Sequence, residues 1–216
     1  MSNKPSKVPP RAGLFVSRSF LKLLMDTNRL FIISGPSGAG EDSIIAELYK
    51  RLPVERVITT TTRTMRPNET NGNPYYFISK KEFEGIRDEN GFAEWAEEYN
   101  GQLYGVTHKE LERVASSEKI GLWKIEWKGV MTAKRMFPGI IAIFITASLE
   151  SIAARLRKRD NLSEAYLAER MTYTKEWLLH TDIYDYIIEN RDGELEKAAD
   201  RAEAIIRKHV GNAYCR

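Results

Sequence analysis

An α/β domain with a mostly parallel sheet flanked by helices is predicted for this 216-residue chain by three observations. Apolar runs of strand length alternate with segments of helical period. The first such run, "RLFIISG" (29–35), opens directly into a glycine-rich loop and then a helix. A later run, "GIIAIFITA" (139–147), is almost continuously apolar, as a parallel strand covered on both faces must be.

The elements follow in order. Residues 1–12 read as a tail and about 13–26 as a short amphipathic helix packed on the core. Arg18 and Lys22 interrupt the apolar part and no small-residue cleavage site follows, which argues against a secretory signal. After the loop, "EDSIIAELYKRL" (41–52) carries Ile44, Ile45, Leu48 and Leu52 at helical spacing. The β-branched "RVITTTTR" (56–63) reads as one second strand. Pro67, Asn68, Asn71, Gly72 and Pro74 break the chain before "YYFISKKEF" starts a new strand and helix. "LWKIEW" (122–127) reads as another strand. Ser148 and Ser163 are helix caps, the second opening a long helix over "EAYLAERMTYTKEWLLH". "YDYIIEN" (184–190) is a last strand, and 193–209 a last helix.

Composition excludes more than it assigns. Apolar content of 42% and charged content of 29% are those of an ordinary globular protein. A net charge of +3 from nearly balanced signs gives no electrostatic footprint for nucleic acid. No apolar run approaches the ~20 residues of a membrane helix. The one cysteine, Cys215, excludes an internal disulfide and suits a reducing cytoplasm. His108, His180 and His209 have no metal-ligand spacing.

The glycine loop is where chemistry begins. Gly35, Pro36, Ser37, Gly38, Ala39 and Gly40 supply G-x-x-x-x-G, the first six positions of a phosphate-cradling loop. Glycine admits the dihedrals that turn successive N–H groups onto one anion, and the helix N-terminus behind adds its dipole. The same turn also serves as a plain strand-to-helix connection. The positions that normally carry lysine and Ser/Thr hold Glu41 and Asp42, with Ser43 next. A carboxylate ~4 Å from a phosphate charge costs roughly 4 kcal/mol at an effective dielectric of ~20. Glu41 therefore cannot simply face the phosphates in the lysine's place, and there are two ways out. One is for Glu41 to lie sideways along the first helical turn, where acids are favoured. The other is metal: Asp42, a hard oxygen donor, is a candidate Mg²⁺ ligand.

"FIISGPSGAG", "TTTTRTMRPNETNGNPYYF", "GFAEWAE", "LYG" and "RLRKR", in this order and spacing, resemble the guanylate kinase family from residue 29 to about 208. The resemblance implies a P-loop kinase core over 27–58 and 108–216 with a helical lid near 155–170. It also implies an inserted α+β GMP-binding lobe over 59–107, leaving 1–26 as an extension. The family's grip on the GMP phosphate falls on Arg63, Arg66, Tyr75 and Tyr104. Guanidinium forks match phosphate oxygens bidentately, and phenol hydroxyls complete the bonding. Glu94 stands where the family reads the guanine N1–H and exocyclic amine, and Thr59 and Glu126 fall in the same subsite. Val106 replaces the usual hydroxyl residue beside the base, with Thr107 as a substitute. The lid arginines map to Arg155, Arg159 and Arg170, and Asn190 to the adenine end.

"WKIEW" departs from the family in having Lys124 where an acid is usual, with Glu126 kept. Read as a strand, 124 and 126 share one face, towards the loop. A lysine lost at 41 and one gained at 124 suggest that the lysine has moved, as against independent drift at two positions. The resemblance implies a cytoplasmic enzyme transferring the γ-phosphoryl of ATP to GMP with Mg²⁺, as a monomer or homodimer without nucleic-acid or membrane partners. Two alternatives stay open: a related small-molecule kinase, such as one acting on ribose 1,5-bisphosphate, and a non-catalytic binding module on the same fold. Loss of the loop lysine favours the module, which the lid arginines oppose; the grip of Arg63, Arg66, Tyr75 and Glu94 opposes the small-molecule kinase.

Overall fold

The computed structural model describes residues 27–67, 69–97, 101–160 and 163–210, without the side chains of Thr27, Arg159 and Asp160. The helix expected near 13–26 and Cys215 lie outside the described residues. The first strand, β1 (Leu30–Ser34), is buried throughout because both of its faces are covered. Leu30 and Ile32 enter one apolar cluster and Phe31 and Ile33 the other, the period-two alternation of an extended chain. Burying each such side chain contributes roughly 1.5–3 kcal/mol, so this strand anchors the core.

The partners of β1 are β8 (Ile120–Lys124) and β9 (Ile141–Thr146), both parallel to it. β2 (Val54–Val57) and β10 (Tyr186–Glu189) complete an all-parallel order β10-β9-β1-β8-β2. Helices α1 (Glu41–Arg51) and α7 (Leu195–Val210) cover one face through Ile44, Leu48, Ala202 and Ile206. The other face is covered by α3 (His108–Ser116), α4 (Trp127–Met136) and α6 (Glu164–Leu178), through Leu111, Val130 and Trp177.

A second sheet, order β4-β5-β3-β7-β6, spans Thr59 to Thr107. It holds β3 (Thr59–Thr61), β4 (Thr70–Asn71), β5 (Pro74–Phe77), β6 (Phe92–Glu97) and β7 (Leu103–Thr107). Helix α2 (Lys80–Asp88) is started by a reciprocal capping box between Ser79 and Glu82. Two expectations change here. The single strand at 56–63 is two strands in different sheets, broken at Ile58, whose N–H donates to the buried Glu110 carboxylate at 2.7 Å instead of to a ladder. The strand read as 122–127 ends at Lys124. The Ile125 carbonyl accepts from Ser34 Oγ at 2.7 Å, and Glu126 is already the N-cap of α4. Lys124 and Glu126 are thus a strand end and a helix start, not neighbours on one strand face.

The other caps stand as expected. Ser148 Oγ accepts from the Ser151 N–H ahead of α5 (Leu149–Asp160), and Ser163 Oγ from the Tyr166 N–H.

Candidate active site

In open α/β sheets ligands bind beyond the carboxyl ends of the strands, and a cavity of about 530 Å³ lies there between the two sheets. One wall is the glycine loop leaving β1; the opposite wall is the second sheet. Gly38 and Gly40 take φ of 93° and 102°, values that favour glycine. Gly35 is required for a different reason: a Cβ there would fall 2.2 Å from the Ile145 carbonyl oxygen, a backbone atom of β9. Gly35→Ala should therefore lose roughly 1–3 kcal/mol of stability and distort the loop, seen as a lowered urea midpoint together with weakened ATP binding. Unchanged unfolding would show that the loop has slack.

The loop is held from behind by two residues expected to serve the nucleotide. Asn190 Nδ2 donates to the Ala39 carbonyl at 2.8 Å, and Arg155 Nη1 donates to the Gly38 and Ala39 carbonyls at 3.2 Å each. The other end of Arg155 grips Asp192. Neither lines the cavity. In this structure the donors of Arg155 go to the Gly38, Ala39 and Asn190 carbonyls and to Asp192, so the side chain braces the loop. Within the loop Pro36 and Ala39 are buried and Ser37 lines the cavity, while Ser43 is exposed on α1 and does not line it.

Glu41 resolves the conflict seen in the sequence. It is 5% exposed, and its carboxylate turns back to accept the Gly40 N–H at 3.1 Å. Burial raises its pKa, opposed by Lys124 nearby. Asp42 points the other way, its Oδ2 taking Lys124 Nζ at 2.6 Å and its Oδ1 taking Arg56 Nη2 at 3.2 Å. Burial pushes the Asp42 carboxyl up, but Lys124 and Arg56 together bring it below its ordinary value. Burial alone would lower the Lys124 pKa; Glu41 and Asp42 reverse this and hold the ammonium firmly charged. A lysine delivered by β8 thus stands at the first turn of α1, where the loop itself supplies only acids.

Across the cavity, Arg63 is pinned by Glu69, whose two carboxylate oxygens both accept from its Nη2, at 2.7 and 3.0 Å, and lies over the Tyr75 ring at 5.4 Å. Tyr75 and Tyr104 meet edge to face at 6.0 Å. Arg66 reaches the same cavity from an exposed position, and Arg170 from α6, near Tyr166. Thr59 is buried in the wall. Glu94 is 7% exposed on β6, and burial, with the neighbouring Glu126, raises its pKa to about 8. The Tyr173 hydroxyl donates to Glu126. Gly129 leaves room for Glu94: a Cβ there would be 3.2 Å from Glu94 Oε2.

Val106 and Thr107 are not brought to the cavity either. Val106 is wholly buried in the apolar cluster with Leu111 and Trp123, so it packs the core instead of meeting a base. Thr107, its suggested substitute, is spent as the N-cap of α3. The Arg159 side chain lies outside the described residues. Conversely, Arg56, Glu69, Tyr173 and Gly129 line the cavity and had not been singled out. Only the fold reveals them: nothing in "RVITTTTR" tells that β2 lies beside β8 and so brings Arg56 to Asp42.

A glycine loop on a parallel sheet, facing a second sheet that presents arginines and tyrosines, defines a phosphotransferase that holds two phosphorylated ligands. The guanylate kinase family model matches residues 27–209. A guanylate kinase from Shewanella violacea is 37% identical over 181 residues, covering 82% of this chain and 86% of that one. One from Bartonella quintana is 36% identical over 178 residues, covering 82% and 79%. The crystal structure of guanylate kinase from Anaplasma phagocytophilum superposes with a TM-score of 0.67 at 27% identity, covering 87% of this chain and 88% of that one. The chain belongs to the guanylate kinase family, and its reaction is transfer of the γ-phosphoryl of ATP to GMP, giving ADP and GDP.

Proposed function

We propose that GMP binds against the second sheet, its guanine on Glu94 and its phosphate between Arg63, Arg66, Tyr75 and Tyr104, while the ATP phosphates enter over the glycine loop. What carries this reading is the meeting of a buried carboxylate, a pinned arginine and the loop around one cavity. Catalysis is then a matter of alignment and charge neutralisation: the acceptor phosphate is held in line with the γ-phosphoryl, and Lys124, Arg66 and Arg170 offset the charge of the transferring group. Arg159 joins them by resemblance to the family. The setting is cytoplasmic; among the described residues no helix is long and apolar enough to cross a membrane.

Family members generally use Mg²⁺ with ATP, and the side chains present do not fit a protein-held ion. Asp42 has the right oxygen chemistry, yet each of its oxygens already holds a cation, at 2.6 and 3.2 Å. Among the described residues no group of three His, Cys, Asp or Glu side chains could enclose a metal. We therefore read Asp42, expected as the magnesium ligand, as a cation holder, with Mg²⁺ taking nucleotide phosphates and water as its ligands. The test of function is coupled ADP release with GMP, AMP, UMP and CMP in turn. Turnover with GMP alone is expected; silence with all four would leave a binding module instead of an enzyme.

A further inference from the structure

We propose that Arg56 is a phosphate-binding residue, forming with Lys124 a two-cation clamp hung on Asp42 that grips the terminal phosphate of the donor nucleotide. The inference rests on the placing of ATP over the loop given above. Arg56 is near the end of β2, fixed by its backbone: its N–H donates to Tyr49 Oη at 3.0 Å and its carbonyl accepts from Arg113 Nη2 at 2.8 Å. The side chain is 18% exposed, lines the cavity, and among the described residues makes one bond, that of 3.2 Å to Asp42. A guanidinium has five N–H donors in a planar fork, so four remain for a ligand. Lys124, 22% exposed on the other side of Asp42, likewise spends one of three donors there. Two largely buried cations with most of their donors unspent, facing one cavity, are set for an anion with several oxygens.

Position decides which anion. Asp42 is the second residue of α1, directly after the loop, so the clamp stands where the helix N-terminus and loop amides converge. The acceptor's phosphate is already served from the second sheet by Arg63. The loop also needs help: its Gly40 amide is engaged by Glu41, which removes one donor from the cradle. Glu41 and Asp42 balance Lys124 and Arg56, so the loop's own acids are neutralised before phosphate arrives.

The test compares ATP with ADP. In Arg56→Ala the Kd for ATP should rise about tenfold or more, the scale of a lost charged hydrogen bond. The Kd values for ADP and GMP should stay within about twofold, and Arg56→Lys should recover part of the loss. Equal weakening of ATP and ADP would mark a structural role and overturn the proposal, as would unchanged ATP binding. If Arg56→Ala fails to fold, Arg56→Gln, which keeps most of the stem packing, is read the same way. An enzyme inactive on GMP whose ATP preference over ADP still depends on Arg56 would refute the acceptor assignment and leave the clamp standing.

Discussion

Lys124→Ala is expected to weaken ATP binding about a hundredfold, and Glu41→Lys in the same chain to restore much of it. The alanine removes the one ammonium beside two acids. Asp42 is 62% exposed and keeps Arg56, so solvent and guanidinium absorb part of its charge. Glu41 is 5% exposed and has neither relief. A phosphate brought ~4 Å from an uncompensated carboxylate meets a repulsion of roughly 4 kcal/mol at an effective dielectric of ~20, which relaxation reduces to about two-thirds of that figure. Lysine at 41 removes that charge, frees the Gly40 amide and places an ammonium where the loop ordinarily has one. In the wild-type background the same lysine would crowd Lys124, so Glu41→Lys alone should gain little. A double-mutant cycle on ATP affinity measures the coupling. Additivity within ~0.5 kcal/mol would show that 124 and 41 do not compensate one another.

The structure refines how that compensation works. Sequence reasoning turned Lys124 towards the loop by assuming a strand through Glu126; instead β8 stops at Lys124, whose hydrogen bond goes to Asp42, while Glu41 bonds within the loop. Lys124 reaches the loop all the same, because position 124 ends a strand adjacent to β1, and strand ends face the loop in a parallel sheet of this kind. What local pattern encodes was readable: the fully apolar β1, the helical spacing in α1, the serine caps of α5 and α6. What tertiary placement decides was not. The break at Ile58 depends on Glu110, distant in sequence, and Val106 shows no sign in its neighbours that its side chain faces the core. Arg155 shows the same limit: its donors go to loop carbonyls that only the fold brings within reach.

GMP binding should strengthen with pH from roughly 6.5, nearly tenfold over the first unit and more slowly through about 8, levelling off above about 9. The cause is Glu94, whose pKa is raised to about 8, first by burial and then by Glu126. Guanine offers two donors, N1–H and the exocyclic amine, so the carboxyl must be an acceptor at both oxygens, which only the ionised form is. With a pKa near 8, roughly one molecule in ten is ionised at pH ~7, and binding has to release a proton from the rest. The sign follows: fewer protons bound in the complex than in the free protein means affinity rising with pH. By the same linkage the folded chain holds a proton the unfolded chain releases above about 4.5, so burial of Glu94 lowers stability as pH rises from there to about 8. Calorimetry in two buffers of different ionisation heat should show close to one proton released per GMP at pH ~7, and none attributable to this group for ATP. The GMP phosphate also titrates, near pH ~6, which is why the window begins above that value. Glu94→Gln separates the two: it keeps the shape, cannot ionise, and presents an amine to a donor where an acceptor is needed. Its GMP affinity should be about a hundredfold weaker at pH ~8 and nearly flat with pH, with ATP affinity unchanged. A wild-type slope retained in Glu94→Gln would assign the titration to the ligand and remove Glu94 from guanine recognition.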